Sequence, residues 1–196
     1  MNLEVVAPCI NYYTDVYDAD NFISLIEEEA SKGWPRLEWD RAIVDGPDGP
    51  RQSDYRSSLN MSLDPLLVYG EMVELKDIQA AFMNMFHRID DCIWDYRNQY
   101  ELPLARHDEI QVLKYINGGE YKAHVDAGGH LVHRQMSMVA YLNDEYEGGE
   151  LEFINFDLKI KPQKGSVILF PSAFPYAHIA HPVDIGTKYA MVTWFS

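Results

Sequence analysis

The sequence predicts an α+β, mainly β fold: a double-sheeted jelly roll or a barrel that carries helices on its outside. Three observations predict it. Apolar residues recur at helical spacing in the first hundred residues, their period changes to two from Glu109 onward, and hydrophobic residues make up 47% of the 196 positions. Because 25 aromatic residues (13 Tyr, 8 Phe and 4 Trp) are available for a buried core, disorder does not describe the chain as a whole.

The first predicted helix covers residues 21–30, where apolar side chains lie on one helical face. Asp18 or Asp20 can cap its start, and Gly33 and Pro35 end it. A second helix is predicted from about Glu71 to Tyr100. Its apolar face contains Ile78, Phe82, Met85, Phe86, Ile89, Ile93 and Tyr96.

The stretch between the helices is rich in turn-forming residues. Residues 46–50 read Gly-Pro-Asp-Gly-Pro, and Arg51, Arg56 and several serines follow. This punctuation predicts a long loop over residues 45–58.

Many short strands are predicted in the second half of the chain, because apolar residues alternate there between turn signals. The strands lie around Ile110-Val112, Met136-Met138-Ala140-Leu142, Leu151-Phe153 and Val167-Leu169. The turns lie at Asn117-Gly118-Gly119, Gly148-Gly149, Lys164-Gly165 and Asp184-Ile185-Gly186. No repeat and no second domain is evident, so residues 1–196 are expected to form one domain.

The formal net charge of −15 argues against nucleic acid and anionic membranes as partners, since the chain has no basic run that could neutralise phosphates. Residues 1–100 carry 8 basic and 19 acidic side chains, whereas residues 101–196 carry 8 and 12. The overall acidity favours a neutral or basic partner. Two cysteines without paired spacing, and no apolar stretch of membrane-spanning length, predict a reduced, cytoplasmic protein.

His124-Val125-Asp126 is the first candidate metal site, because residues i and i+2 of an extended segment point to the same side. A third ligand is needed, and either His178 or His181 can supply it. Two histidines and one carboxylate leave open positions on an octahedral ion and suit Fe(II) oxygen chemistry. The H-E-x-x-H pattern of many hydrolytic zinc sites is absent.

The second half of the chain resembles the Fe(II)/2-oxoglutarate-dependent dioxygenases, in particular the prolyl 4-hydroxylase-like group. The resemblance covers about residues 109–196 and depends on ordered spacing. It includes a tyrosine, a glycine turn, a second tyrosine and H-x-D, followed by further matching segments. These are Tyr115 to Asp126, Arg134-x-x-Ser137-x-x-x-Tyr141-Leu142-Asn143, Gly148-Gly149-Glu150-Leu151-x-Phe153, Phe170-Pro171-Ser172, and His178, Pro182-Val183, Gly186, Lys188 and Tyr189.

The resemblance implies a double-stranded β-helix (jelly-roll, cupin-like) core over about residues 105–196, supported by helices in about residues 1–100. It implies Fe(II) as the metal, 2-oxoglutarate and O2 as co-substrates, and ascorbate as an accessory cofactor. The implied reaction is hydroxylation of a prolyl residue in a protein or peptide, with 2-oxoglutarate converted to succinate and CO2. The loop at 45–58 stands where such enzymes place a substrate-covering segment.

The register of the resemblance implies a role for each site residue. His178, with His124 and Asp126, is the third metal ligand, and His181 lies outside the ligand set. Lys188 is expected to pair with the far carboxylate of 2-oxoglutarate, Tyr141 to hydrogen-bond to the same end, and Tyr115 to face the co-substrate or the peptide. The charges of Fe(II) and Lys188 then cancel those of Asp126 and the co-substrate.

Other polar residues near these motifs have less definite roles. Arg134 and Ser137 can contact the co-substrate or face solvent, His130 and His133 are expected on a surface loop, and Trp194 is expected to pack beneath the site. Two alternative functions stay open: oxygenation of a free amino acid or other small metabolite, and a non-catalytic jelly-roll module that retains a metal. The sequence does not indicate an oligomeric state.

Overall fold

The computed structural model describes residues 1–32, 37–46, 49–64 and 75–196, and it consists of two antiparallel sheets with helices against the larger one. Its helices are α1 (Asp20–Ser31) and α2 (Lys76–Tyr100), and short 3-10 turns lie at Gly129–Leu131 and Ile154–Phe156. The strands are β1 (Asn2–Ala7), β2 (Ile10–Thr14), β3 (Asp40–Arg41), β4 (Ile43–Gly46), β5 (Gly49–Gln52), β6 (Leu59–Ser62), β7 (Gln111–Ile116), β8 (Tyr121–His124), β9 (Met136–Tyr141), β10 (Tyr146–Gly148), β11 (Leu151–Phe153), β12 (Leu158–Ile160), β13 (Val167–Pro171), β14 (His178–Ala180) and β15 (Val183–Phe195).

The larger sheet has the strand order β1-β2-β13-β9-β15-β7-β6-β3, and β10 also pairs with β15. The smaller sheet has the order β12-β11-β14-β8, and β4 and β5 form a separate hairpin. Strands distant in sequence are neighbours in both sheets, as in a jelly roll, where the chain passes from one sheet to the other. The predicted mainly β jelly-roll fold is confirmed.

The helices cover the outer face of the larger sheet. Buried residues of α2 recur every three or four positions, so one stripe of the helix faces the core. This stripe contains Ile78, Phe82, Met85, Ile89, Cys92, Ile93 and Tyr96. It packs in one hydrophobic cluster with Phe22 and Ile26 of α1 and with Val167 and Leu169 of β13. The predicted helical face is confirmed, while residues 71–74 of the predicted helix lie outside the described residues.

The first 62 residues contain six strands that the sequence did not predict. Strand β2 is buried on both faces, because the helices lie on one side and the smaller sheet on the other, so its residues show no alternation of polar and apolar side chains. Most of the predicted 45–58 loop is ordered around the β4–β5 hairpin, whose residues 47–48 lie outside the described residues. Ala19 occupies the N-cap of α1 without a side-chain hydrogen bond, so the predicted aspartate cap is wrong, and Gly33 and Pro35 lie outside the described residues.

The inner faces of the two sheets enclose the second part of the core. Phe153 and Ile160 of the smaller sheet meet Tyr141, Ile168 and Phe170 of the larger sheet. A pocket also lies between the sheets, and its lining combines apolar side chains with His124, Asp126, His178 and Lys188. No helix in the described part of the chain is long and apolar enough to cross a membrane.

Candidate metal centre and its pocket

His124, Asp126 and His178 converge at the open end of the sandwich. Strands β8 and β14 are antiparallel neighbours, and their register places His178 directly opposite His124. The Asp126 carboxylate lies between the two rings, with its Oδ1 3.5 Å from Nε2 of His124 and its Oδ2 3.8 Å from Nε2 of His178. One potential ligand atom from each of the three residues lies within 4.8 Å of the others.

Both histidine rings are oriented by their own strands. Nδ1 of His124 lies 2.8 Å from the carbonyl oxygen of Lys122, and Nδ1 of His178 lies 3.1 Å from that of Tyr176. A carbonyl can only accept, so each Nδ1 carries the proton and each Nε2 keeps its lone pair. Burial, together with the nearby His124, lowers the pKa of His178 to about 4, which keeps this imidazole neutral at pH 7.

Asp126 and the residue after it are held by hydrogen bonds to the larger sheet and its flank. Ser137 on β9 donates to Oδ2 at 2.6 Å, and the Ser137 hydroxyl is itself 2.8 Å from that of Ser172. The backbone N–H groups of Asp126 and Ala127 both donate to the carbonyl of Ser172, which fixes the bend after β8. Burial alone would raise the pKa of Asp126, but His178, His124 and Ser137 outweigh it and hold that pKa well below its usual range.

These three side chains fit a divalent transition metal. Two imidazole nitrogens and one carboxylate oxygen form a suitable donor set, and all three converge on one point. His181, the alternative third ligand, lies elsewhere, with its Nε2 2.6 Å from Oε2 of Glu152. The structure therefore brings His178, and not His181, to His124 and Asp126.

A pocket extends from the triad into the interior between the sheets. We call it the inner pocket. Its walls are mostly apolar, and its lining includes Tyr115, Tyr141 and Lys188. Strands β7 and β15 place Tyr115 opposite Lys188, and the Lys188 Nζ lies 5.4 Å from the Tyr115 ring centre and 5.2 Å from that of Tyr141.

Lys188 is a buried cation, since only 2% of the residue is exposed. Its Nζ donates to the carbonyl oxygen of Gly149 at 2.6 Å, and no carboxylate in the described part of the chain forms an ion pair with it. Burial lowers the pKa of Lys188 to about 7; Lys161 lowers it further, and Glu150 opposes the shift. Since an ammonium group in an apolar pocket is costly without a counter-charge, this site favours an anionic ligand.

The hydrogen bond from Lys188 to the Gly149 carbonyl depends on the backbone conformation of Gly149. Its φ is +66°, and a Cβ atom there would lie 2.9 Å from Cε2 of Tyr146 and 3.2 Å from Cδ of Lys188. A side chain at this position would therefore collide with the ring and the lysine that flank the carbonyl. The Gly148-Gly149 turn brings that carbonyl close to the ammonium.

A wider groove lies outside the triad, and we call it the outer groove. One wall is the β4–β5 hairpin with Tyr55, and the opposite wall is the segment from Val125 to Leu131. The inner pocket and the outer groove share five of the described residues: Arg56, Tyr121, His124, Asp126 and Trp194. The triad thus stands where the inner pocket meets the outer groove.

For three of these shared residues, the sequence did not predict a position at the opening of the site. The Tyr121 ring stacks on His124 with ring centres 3.4 Å apart, and the guanidinium of Arg56 lies 5.0 Å from the Tyr121 ring centre. Trp194, expected to pack beneath the site, instead lines its opening. The only available signal was that Tyr121 precedes the H-x-D motif; the position of Arg56 depends on pairing between distant segments.

Arg134 and Ser137 lie outside the inner pocket lining. Ser137 contacts Asp126, as described above. The Nε of Arg134 donates to Asp108 Oδ2 at 2.7 Å, and its guanidinium lies 3.6 Å from the ring centre of Trp194. Like the neighbouring loop residue His130, His133 is exposed, as expected, and its Nε2 is 3.3 Å from Oδ1 of Asp108.

The family comparison finds a match in the second half of the chain. Residues 110–196 match the model of the 2OG-Fe(II) oxygenase superfamily. A putative prolyl 4-hydroxylase of Acanthamoeba polyphaga mimivirus is 29% identical over 119 residues, which cover 50% of this chain and 48% of that protein. Probable prolyl 4-hydroxylase 9 of Arabidopsis thaliana is 31% identical over 121 residues, covering 47% of this chain and 42% of that protein. The chain spans about half the length of these relatives.

Solved structures share the fold over nearly the whole chain. A prolyl-4-hydroxylase of Pseudomonas putida superposes with a TM-score of 0.66 at 19% identity and covers 95% of this chain and 91% of its own. A prolyl hydroxylase of Trichoplax adhaerens, in complex with a hypoxia inducible factor peptide fragment, has a TM-score of 0.73 at 16% identity, with coverages of 95% and 83%. Residues 110–196 are thus similar to the 2OG-Fe(II) oxygenase superfamily, and the relatives that this chain resembles are named prolyl hydroxylases.

Proposed function

We propose that this protein is an Fe(II)- and 2-oxoglutarate-dependent dioxygenase that hydroxylates a prolyl residue in a protein or peptide. The observation that carries the proposal is the position of the triad. His124, Asp126 and His178 stand between an inner pocket that contains a buried cation and an outer groove that is open to solvent. A co-substrate can therefore approach the metal from one side and the substrate from the other.

The triad would hold Fe(II) through Nε2 of each histidine and one oxygen of Asp126, leaving three coordination positions open. Lys188 would pair with the far carboxylate of 2-oxoglutarate, Tyr141 would hydrogen-bond to the same end, and Tyr115 would line the co-substrate's path. When bound, iron supplies the oxidation in which O2 divides its atoms between succinate, formed with loss of CO2, and the hydroxylated C–H bond. The apolar pocket walls keep water away from the reacting groups.

The outer groove supports a peptide as the substrate. Tyr121 and Trp194 line the groove beside the triad and provide aromatic surface that a pyrrolidine ring can contact. The similar proteins named prolyl hydroxylases, one of them bound to a peptide fragment, support the same substrate class.

The remaining features of the proposal concern the protein's surroundings. Both cysteines are free in the structure, which supports a reducing compartment such as the cytoplasm. Ascorbate would serve as an accessory reductant that keeps the iron in the Fe(II) state. Residues 1–196 would act as one domain, because β1 and β2 from the N-terminal region complete the larger sheet beside β13.

The test is incubation of the purified protein with Fe(II), 2-oxoglutarate and proline-containing peptides, followed by mass spectrometry. We expect a gain of one oxygen atom on proline and an equal amount of succinate. Both should be lost in His124→Ala and Asp126→Ala and retained in His181→Ala, a matched control outside the triad. Modification confined to another residue type, or to a small molecule, would refute a prolyl hydroxylase; no succinate above background would refute an oxygenase.

A further inference from the structure

We propose that the outer groove selects prolyl substrates with acidic residues beside the proline. This inference rests on the proposed function, and it names a substrate class within it. It depends on the charges that line the groove and reverses the preference that the overall composition suggests.

The charged side chains described in the groove lining are three arginines and one aspartate. The aspartate is Asp126, whose carboxylate is part of the triad and is therefore not counted among the charges that would face a peptide. Arg134 is neutralised by Asp108 at 2.7 Å. Arg51 and Arg56 form no ion pair with any carboxylate among the described side chains, so the described part of the groove lining carries two uncompensated positive charges.

Arg56 stands at the junction of the inner pocket and the outer groove. Its Nε is buried without a hydrogen-bond partner, while Nη1 donates to the carbonyl of Ile43 at 3.3 Å. The guanidinium carbon lies 5.0 Å from the Tyr121 ring centre, and the residue lines the groove, so a bound peptide would interact with the charge of Arg56 rather than with its buried Nε. Arg51 is exposed on β5 and lines the same groove, so the two arginines can contact different residues of a bound peptide.

The net charge of −15 does not cancel this local preference. At physiological ionic strength, charges separated by more than a Debye length of about 8 Å are largely screened from one another. A peptide carboxylate in the groove therefore interacts mainly with the arginines that line it. Guanidinium groups also match carboxylates with paired hydrogen bonds, which strengthens the preference at contact.

The experiment compares three short peptides with the same proline-containing centre and flanks of Asp/Glu, Asn/Gln or Lys. Binding is measured by fluorescence anisotropy with Mn(II) in place of Fe(II), with 2-oxoglutarate and without O2; hydroxylation is measured separately with Fe(II) and O2. Each exposed ion pair contributes a factor of about two to five, so the acidic peptide should bind about tenfold more tightly than the basic one at physiological ionic strength. The difference should shrink at high salt.

Substitutions of Arg51 test whether the charge preference arises in the outer groove. Arg51→Gln should weaken binding of the acidic peptide about two- to fivefold, and Arg51→Glu should weaken it further while improving binding of the basic peptide. Arg88→Gln is the matched control, because it removes the same charge from an exposed position on α2. It should leave the preference unchanged.

The outcomes separate this inference from the proposed function. Hydroxylation of all three peptides with no charge preference, or with a basic preference, overturns the inference and leaves the prolyl hydroxylase intact. A preference that changes equally in Arg51→Gln and Arg88→Gln overturns it too, because the whole molecule's charge would then be responsible. Acidic preference in binding without hydroxylation supports the inference and refutes the proposed reaction, and failure of all three peptides to bind overturns the inference.

Discussion

Lys188 should make the binding of 2-oxoglutarate depend on pH in the range from 7 to 9. Burial lowers the pKa of this lysine to about 7, so the free protein loses its ammonium charge as the pH rises through that value. A bound dicarboxylate favours the charged form and raises the pKa again. Above pH 7 the protein must therefore take up a proton when 2-oxoglutarate binds, and the affinity must fall as the pH rises.

The size of the effect follows from the fraction of Lys188 that is protonated. With a pKa of about 7 in the free protein, that fraction falls about tenfold for each pH unit above neutrality. Relative to its value below pH 6, the dissociation constant for 2-oxoglutarate should then rise about 10-fold by pH 8 and about 100-fold by pH 9. Below pH 6 the lysine is protonated and its contribution to the affinity should be constant.

Calorimetric titration of the Mn(II)-loaded protein with 2-oxoglutarate, repeated across this pH range without O2, measures the affinity. Buffers of different ionisation enthalpy give the number of protons taken up, which should approach one at pH 8 and above. Lys188→Arg is the control, because its guanidinium stays protonated and its affinity should not follow this profile. A wild-type profile as flat as that of the Arg variant, or an affinity that rises with pH, would refute the reasoning.

Three further predictions concern the site and the core. Ser137→Ala should weaken metal binding about 10- to 100-fold in a Co(II) or Mn(II) titration, because it removes the hydrogen bond that orients Asp126, and Ser137→Thr should retain most of it; equal binding by all three proteins would contradict this. Gly149→Ala should raise the dissociation constant for 2-oxoglutarate and leave metal affinity unchanged, and a loss of both together would show that the Gly149 turn also supports the triad. Phe82→Ala should lower the free energy of unfolding by about 3–5 kcal/mol in denaturant titration, since this α2 side chain is fully buried; a cost below about 1 kcal/mol would contradict the packing described for the helix.

The sequence predicted those parts of the site that depend on local spacing. His124 and Asp126 are two residues apart at a strand end, so their convergence follows from strand geometry alone. The choice of His178 over His181 needed the resemblance, since both residues fit the spacing and only strand pairing distinguishes them. Lys188 could be named by register, but its burial and its contact with Gly149 arise from the packing of β15 in the larger sheet.

What the sequence left unpredicted depends on contacts between distant segments. Arg56 reaches the triad because it pairs with Tyr121, 65 positions further along the chain, through an isolated bridge. Strand β2 was missed because it is covered on both faces and therefore shows no period of two. Ser137 was identified as polar and adjacent to the motif, yet its role beside Asp126 became visible only once β9 and the end of β8 were placed together.

The division of the site between the two sheets has a mechanical consequence. Both histidines belong to the smaller sheet, through β8 and β14, whereas Lys188 belongs to β15 of the larger one. A dicarboxylate that contacts the metal at one end and Lys188 at the other would connect the two sheets. Metal alone would tie together residues on the β8–β14 side, so resistance to thermal unfolding should rise most when both are present, by more than the two separate effects combined. The bound co-substrate would thus stabilise the packing of the two sheets during each turnover, and its conversion to succinate would remove that stabilisation.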